Sequence, residues 1–198
     1  MLKIGLTGSI GMGKSTTSEM FKQYGIPIFD ADAMVHILYQ KDYQGYDAVK
    51  AICPEATTGD NVDRVILSAH ILKHPDDLKK IEKAIHPLIR EIENEFFSQT
   101  QKSGAHFIIF DIPLLFEMNV GHDMDKVIVV TTSPEIQKER VMQRQSMSIE
   151  KFEFILSKQM DDTEKRKKAD YIVDTSDGIE SAKQQVAKIV DQINLLET

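Results

Sequence analysis

The sequence predicts an α/β fold in which a five-stranded parallel sheet is flanked by helices. Five apolar runs of strand length alternate with segments in which apolar residues recur at helical spacing. A glycine-rich loop lies between the first run and the first helix, and aspartates follow the second and third runs. Because open parallel sheets hold ligands at the carboxyl ends of their strands, we expect the functional site at that edge.

Composition indicates a globular protein rather than a membrane or nucleic-acid-binding one. The 198 residues suffice for one domain with a substantial core, and 41% of them are hydrophobic. The net charge of −7 argues against general binding to nucleic acids or anionic membranes, which requires a basic surface. The apolar runs are too short to cross a bilayer, no signal peptide is visible, and Cys53 is the only cysteine. We expect a cytoplasmic protein, taken as a monomer, with no nucleic-acid or membrane partner.

The first strand, Leu2–Thr7, leads into a loop at residues 8–15, whose sequence G-S-I-G-M-G-K-S fits the phosphate-binding pattern G-x-x-x-x-G-K-S. Its glycines can turn backbone N–H groups toward phosphates, and the dipole of the following helix adds to the attraction. Lys14 can reach the outer phosphates, and the Ser15 hydroxyl can bind Mg²⁺. A glycine-rich turn without a ligand is the alternative, but the strand before and the helix after favour a nucleoside triphosphate site in a P-loop NTPase fold. The predicted nucleotide-binding residues of this loop are Gly8, Gly11, Met12, Gly13, Lys14, Ser15 and Thr16.

The second strand is predicted at residues 26–29, after a helix at 15–24 that Gly25 ends. Pro27 near its start indicates an edge or first-residue position. The strand delivers Asp30 and Asp32 to its carboxyl end, where a helix over about 32–40 begins. These carboxylates could serve a ligand site or simply cap that helix, and the sequence leaves both interpretations open.

The connection to the third strand is long and is predicted to be helical. Residues 41–101 contain no strand-like run, and Pro75 followed by two aspartates marks a helix start. The apolar pattern from Leu78 to Phe96 is interrupted at His86 and Pro87, where we expect a kink or break. Because this stretch is too long for a minimal crossover, residues 33–102 are predicted to form an inserted helical subdomain beside the site.

The same connection contains two features that could suggest a metal site. His70 and His74 lie four residues apart on a predicted helix, the spacing of a zinc-binding pair. No third ligand is evident in the sequence, so a surface helix face is favoured. Cys53 has no neighbouring histidine or second cysteine and is predicted to be a small buried residue.

The third strand, Phe107–Asp111, is apolar until it ends in an aspartate. In a P-loop protein this is the Walker-B pattern, in which the acid helps to hold Mg²⁺. A loop aspartate that merely follows a core strand is the alternative, and the upstream glycine loop favours the functional interpretation. Residues 112–117 are too apolar for an ordinary exposed loop, so we expect them to line a pocket or cover the core.

The C-terminal part is predicted to contain two more strands, Lys126–Thr131 and Tyr171–Asp174. Pro134 opens a helix to about residue 144, with Arg140 and Arg144 on one face; that face is either solvated or meets phosphates. Residues 148–168 are typical of a solvated helix-turn-helix. The last helix has an apolar stripe formed by Ile179, Ala182, Val186, Ile189, Ile193 and Leu196.

These features resemble the dephospho-coenzyme A kinases, a family within the nucleotide-kinase branch of P-loop proteins. The resemblance covers nearly the whole chain, and D-A-D at 30–32 and D-I-P-L-L-F-E at 111–117 are its most specific segments. Further matching segments are residues 5–15, V-D-R at 62–64, H-P at 86–87, Gln137 with Arg140 and Arg144, Gln159-Met160, and A-D-Y at 169–171. The chain departs from the family in Ser9, where another glycine is usual, in Val62, and at 174–178, where D-T-S-D-G lacks the asparagine often found after the last strand.

The resemblance implies transfer of the ATP γ-phosphoryl group to the ribose 3′-hydroxyl of dephospho-coenzyme A, with Mg²⁺ as cofactor. It implies three catalytic residues, Asp32 as general base, Lys14 and Arg140. It further implies nucleotide binding by Arg144, metal binding by Ser15, Asp30 and Asp111, and acceptor binding by Asp32, Arg64, His86 and Leu114. The implied architecture is a single domain with a core at about 1–32, 103–137 and 169–198, an acceptor-binding insertion at about 33–102 and a lid at about 138–168.

Two other functions remain possible from the sequence. One is a kinase for a nucleoside monophosphate or another small metabolite, which the same loop and aspartates could serve. The other is a non-catalytic nucleotide-binding switch, in which the acids after the second and third strands need not both be aspartate. Turnover with different acceptors distinguishes the two from the dephospho-coenzyme A kinase prediction.

Overall fold

A computed structural model describes residues 1–119, 121–145 and 147–197 of the chain. Val120, Ser146 and Thr198, which fall within the predicted core and lid ranges, lie outside the described residues. Within those residues the sheet contains β1 (Leu2–Thr7), β2 (Ile28–Asp30), β3 (Phe107–Asp111), β4 (Lys126–Thr131) and β5 (Tyr171–Asp174). The strands run parallel in the order β2-β3-β1-β4-β5, which confirms the predicted α/β fold. The edge position of β2 agrees with the proline that precedes it.

The helices divide between two units of the chain. The sheet unit comprises Met1–Phe29 and Thr100–Thr198, and the helical unit comprises Asp30–Gln99. The described helices are α1 (Lys14–Lys22), α2 (Ala31–Leu38), α3 (Gln44–Ile52), α4 (Arg64–Lys73), α5 (Pro75–Lys102), α6 (Pro134–Met142), α7 (Ile149–Ser157), α8 (Asp162–Lys167) and α9 (Gly178–Asn194). Among the described residues, none of these helices combines the length and the apolar character that crossing a bilayer requires.

The core of the sheet unit explains why β1 is the central strand. Leu6 on β1 lies opposite Asp111 on β3 and Ile128 on β4, so the carboxyl ends of three strands meet at one edge. Ile4, Leu6 and Ile128 are fully buried and pack with Phe21 of α1 and with apolar residues of α9. Burying one such side chain stabilises the fold by roughly 1.5–3 kcal/mol. This packing fixes the edge of the sheet from which the glycine loop leaves β1.

The helical unit has its own core, formed by α2, α3, α4 and α5. Val49 is fully buried, and Tyr46 donates its hydroxyl proton to the carbonyl oxygens of Thr57 and Gly59, at 2.5 and 2.8 Å. Of the kink or break predicted at His86 and Pro87, the break does not occur, because α5 continues from Pro75 to Lys102. A proline removes one helical N–H donor, and the buried or half-buried apolar residues on both sides of Pro87 hold the helix together despite this loss.

Two features of the C-terminal half differ from the sequence prediction. Residues 148–168 form α7 and α8 as expected, but Lys165 of the supposedly solvated segment has no exposed surface. The apolar stripe of α9 is buried at Val186 and Ile193, yet Ile179 at its start is 60% exposed. Ile179 lines a cleft beside the glycine loop that is described below.

Candidate active site

The glycine loop joins β1 to α1 at the carboxyl edge of the sheet. Gly11 and Gly13 have φ angles of +80° and +94°, a conformation that residues with a side chain rarely adopt. Gly13 is the N-cap of α1, and a Cβ atom at Gly11 would lie 2.5 Å from a methyl carbon of Val141. Ser15 and Thr16 follow in the first turn of α1 and are exposed. The first N–H groups of a helix have no intrahelical acceptor, so this turn offers hydrogen-bond donors to an anion.

Two glutamines hold the outer side of this loop at Ile10. The Ile10 N–H donates to Oε1 of Gln159 at 3.0 Å, and Nε2 of Gln137 donates to the Ile10 carbonyl oxygen at 2.7 Å. Gln137 lies on α6 and is buried, whereas Gln159 lies between α7 and α8. Both backbone polar groups of Ile10 are therefore satisfied by side chains from distant parts of the chain. The sequence marked both glutamines only as matches to a family.

Lys14 of the loop and Asp111 at the end of β3 form an ion pair. The side chain of Asp111 is 5% exposed and that of Lys14 is 17% exposed, so both charges are largely removed from water. Such a pair is costly to desolvate and gives little net stability, which leaves Lys14 able to exchange its partner for a phosphate oxygen. The structure thus brings together two of the predicted site residues, although they are far apart in sequence.

Arg140 connects α6 to the segment between β5 and α9. Its Nη1 donates to Oγ1 of Thr175 at 2.7 Å, and its Nη2 donates to the Thr175 carbonyl oxygen at 2.9 Å. The Thr175 hydroxyl in turn donates to the carbonyl oxygen of Met12 at 3.0 Å, inside the glycine loop. A guanidinium group has five N–H donors, so these contacts leave Arg140 with donors for a ligand. The sequence indicated Thr175 only as a departure from the family pattern and did not predict this chain of contacts.

A cleft of about 330 Å³ lies beside the loop in the sheet unit. It is bounded by α1, by the end of α6 and by the start of α9, and the exposed Arg144 and Ile179 both line it. Gly8 precedes the cleft as a buried residue directly after β1. The cleft therefore combines apolar surface, two guanidinium groups and the glycine loop, a combination that suits a nucleotide.

A second cleft of about 660 Å³ is lined by Gln137, Gln159 and Met160, and the backbone of Met160 contacts a buried ion pair. Lys165 of α8 lies 2.9 Å from Oε1 of Glu117, and the same oxygen accepts the N–H of Met160 at 2.7 Å. Burial acts to raise the pKa of Glu117, but the Lys165 ammonium and the Met160 N–H outweigh it and hold that pKa below its usual value. These contacts fix the segment that carries Gln159. The sequence did not predict the contacts of Lys165 with Glu117, because Lys165 lies in a run of charged residues.

The remaining predicted residues lie mostly in the helical unit. Asp30 caps α2 by accepting the N–H of Ala33 at 2.9 Å, so the capping interpretation holds for Asp30. Asp32 is exposed in the first turn of α2. Arg64 is exposed, and its Nη1 lies 2.7 Å from Nε2 of His36. The last two predicted acceptor residues, His86 and Leu114, are both exposed. His86 lies on α5, whereas Leu114 belongs to the sheet unit and lies in the segment after β3. The roles predicted for all of these residues stay predictions.

Comparison with known proteins agrees with this geometry. A sequence model of the family described as dephospho-CoA kinase matches residues 2–181. Dephospho-CoA kinase from Rhizobium meliloti (strain 1021) is 46% identical over 193 residues, which cover 98% of this chain and 98% of the relative. The crystal structure of TT1252 from Thermus thermophilus has a TM-score of 0.83 at 30% identity and covers 96% of this chain and 95% of its own. Dephospho-CoA kinase from Campylobacter jejuni has a TM-score of 0.66 at 28% identity, with 96% of each chain covered. The chain therefore belongs to the dephospho-CoA kinase family.

Proposed function

We propose that this kinase transfers the γ-phosphoryl group of ATP to the ribose 3′-hydroxyl of dephospho-CoA, which yields CoA and ADP in the last step of CoA biosynthesis. The observation that carries the proposal is the contact between Lys14 and Asp111 at the carboxyl edge of the sheet. It joins a phosphate-binding lysine to a carboxylate of the kind that binds Mg²⁺, within a chain that belongs to this family. We further propose that the protein acts as a cytoplasmic monomer without a nucleic-acid partner.

The phosphates of ATP are assigned to the glycine loop. The N–H groups of Gly11, Gly13 and Lys14 and of the first turn of α1 would donate to the β- and γ-phosphates, with the Lys14 ammonium as the balancing charge. The exposed Ser15 hydroxyl and the Asp111 carboxylate supply hard oxygen donors, which fit the Mg²⁺ that accompanies ATP. When bound, the ion neutralises charge on the phosphates. Asp30 is assigned to the same ion, because its capping bond uses only one of its two oxygens.

The adenosine part of ATP is assigned to the 330 Å³ cleft beside the loop. Ile179 offers an apolar surface for the base, and the guanidinium group of Arg144 can stack on a base or pair with a phosphate. Arg140, held in place by Thr175, would direct its remaining N–H groups at the transferring phosphoryl group. An arginine that stabilises this transition state contributes roughly 10³–10⁵ in rate in related enzymes.

The acceptor is assigned to the helical unit, within the predicted insertion of residues 33–102. The Asp32 carboxylate would accept the proton of the 3′-hydroxyl as that oxygen bonds to the γ-phosphorus and the bond to the ADP oxygen breaks. The step does not require a strong base, because the transition state is loose and the proton leaves late. Arg64 and His86, with Leu114 from the sheet unit, are assigned to the rest of dephospho-CoA. Residues 138–168 would close over the site, since water that reached the γ-phosphoryl group would hydrolyse ATP.

ADP release measured with a panel of acceptors tests this proposal. Dephospho-CoA should support ADP release, whereas CoA should not, because its 3′-hydroxyl already carries a phosphate. Nucleoside monophosphates serve as the second control for a kinase of different specificity. Equal ADP release with and without dephospho-CoA, or faster release with a nucleoside monophosphate, would overturn the proposal.

A further inference from the structure

The helical unit brings His70 together with Cys53 and Glu55, three side chains of types that bind metals. Cys53 is the C-cap of α3, Glu55 belongs to the 3-10 turn Pro54–Thr57, and His70 lies on α4. One ligand atom of each, a sulfur, a carboxylate oxygen and a ring nitrogen, lies within 4.8 Å of the other two. No local sequence pattern indicates this cluster, because His70 lies seventeen residues downstream of Cys53.

The orientation of the His70 ring is set by a second carboxylate. One of its nitrogens, Nε2, lies 2.8 Å from Oδ2 of Asp77, and the other, Nδ1, lies 3.3 Å from Oε1 of Glu55. The side chains of His70 and Asp77 are 15% and 18% exposed, so the ring is held in a largely enclosed place. A histidine that binds a metal through one nitrogen commonly donates its other N–H to a carboxylate, which orients the ring and increases its basicity. Asp77 stands in that position.

We propose that Cys53, Glu55 and His70 form a Zn²⁺ site, with Asp77 as the carboxylate that orients His70. A thiolate, an imidazole and a carboxylate are the donors that zinc uses in proteins. Three protein donors leave a fourth position for water, and the exposed Glu55 provides the route by which the ion enters. Binding displaces the proton of the Cys53 thiol and any proton on Nδ1 of His70 into solvent.

The competing explanation is a hydrogen-bonded network that needs no metal. Burial raises the pKa of the Cys53 thiol, and Glu55 raises it further, so the thiol can donate to that carboxylate. The hydrogen bond to Asp77 raises the pKa of His70, and the protonated ring can donate to both carboxylates. The two explanations differ in what happens when zinc is added. A hydrogen-bonded network without a metal site would not bind a soft cation through the thiolate of Cys53.

Zinc in this position would connect the end of α3, the 3-10 turn and α4. Because the ion binds the folded chain and not the separated ligands, it should raise the thermal midpoint of unfolding. Mg²⁺, the cofactor proposed for the reaction, prefers oxygen donors and should not compete for a site that contains sulfur and nitrogen. The site would therefore remain distinct from the catalytic metal even in assay buffer.

Co²⁺ titration of the full-length protein tests the proposal directly. Since Cys53 is the only cysteine in the chain, a thiolate-to-cobalt charge-transfer band in the near ultraviolet can report only this site. We expect the band to saturate at one equivalent, to disappear when one equivalent of Zn²⁺ is added, and to persist in excess Mg²⁺. Absence of the band, or a band that Mg²⁺ removes, would overturn the proposal.

Variants separate the site from adventitious binding. Cys53→Ala and His70→Ala should lose the band, and Asp77→Asn should weaken the Co²⁺ affinity about 10- to 100-fold. His122→Ala is the matched control, because His122 is exposed, lies 3.4 Å from an Asp123 oxygen and belongs to the sheet unit. If burial makes the Cys53 or His70 variants misfold, the exposed Glu55→Gln should keep its circular dichroism spectrum and still lose affinity. Affinity that is unchanged in Glu55→Gln would contradict the assigned ligand set.

Discussion

Thr175 provides the most informative single substitution, because one hydroxyl links Arg140 to the glycine loop. In Thr175→Val the shape is kept, but Nη1 of Arg140 loses its 2.7 Å acceptor and the Met12 carbonyl oxygen loses its 3.0 Å donor. A hydrogen bond to a charged group contributes about 1.5–3 kcal/mol, and a neutral one contributes about 1 kcal/mol. The contact from Nη2 of Arg140 to the Thr175 carbonyl oxygen survives, and the half-buried guanidinium group can be partly rehydrated. The free energy of unfolding should therefore fall by about 2 kcal/mol.

The kinetic consequence should be confined to the nucleotide. We expect kcat/KM for ATP to fall roughly tenfold, equivalent to about 1.4 kcal/mol, because Arg140 and Met12 are both displaced from their positions around the phosphates. KM for dephospho-CoA should change less than about twofold, because no group assigned to the acceptor contacts Thr175. Thr175→Ser keeps the hydroxyl and should restore most of both losses. Normal stability and ATP kinetics in Thr175→Val, or a Thr175→Ser variant as impaired as Thr175→Val, would contradict the role of this hydroxyl.

Four further substitutions test other parts of the molecule. Gln159→Leu leaves the Ile10 N–H without its acceptor. KM for ATP should therefore rise several-fold, with little change in the circular dichroism spectrum. An unchanged KM would show that this contact does not shape the loop. Lys165→Met leaves the Glu117 carboxylate without its buried partner and should cost about 3 kcal/mol in urea unfolding, whereas a cost under about 1 kcal/mol would contradict the pairing. Folding lowers the pKa of Glu117, so this carboxylate contributes its full stability above its unfolded-state pKa. That contribution is lost as the pH falls through the folded-state pKa. The resulting acid sensitivity of the folded protein should vanish in Glu117→Gln. Asp32→Ala should lower kcat far more than it weakens ATP binding measured by calorimetry, and near-normal turnover would remove Asp32 from the chemistry.

The last three strands have the bounds that the sequence predicted. Phe107–Asp111, Lys126–Thr131 and Tyr171–Asp174 each appear in the sequence as a short run rich in apolar residues between polar segments. The second strand begins at Ile28 rather than at residue 26. The interruption expected at Pro87 is absent because tertiary packing in the helical unit overrides the local preference of one proline.

The site was predictable only where its geometry is local. The glycine spacing of the loop and the strand that ends at Asp111 predicted a phosphate site, and the structure brings Lys14 and Asp111 together. The contacts of Gln159 with Ile10 and of Thr175 with Arg140 join residues that are distant in sequence, so no local pattern indicates them. Lys165 was misjudged for a related reason, because its burial depends on a carboxylate supplied by another segment.

In the proposed reaction the γ-phosphoryl group moves from ATP to dephospho-CoA and not to water. The most direct test of this transfer is the fate of a labelled γ-phosphoryl group after incubation with the enzyme, Mg²⁺ and dephospho-CoA. We predict that the label appears in CoA in an amount equal to the ADP formed, and that little of it appears as inorganic phosphate. Label that remains in ATP, or that is recovered mainly as inorganic phosphate, would contradict the proposed transfer.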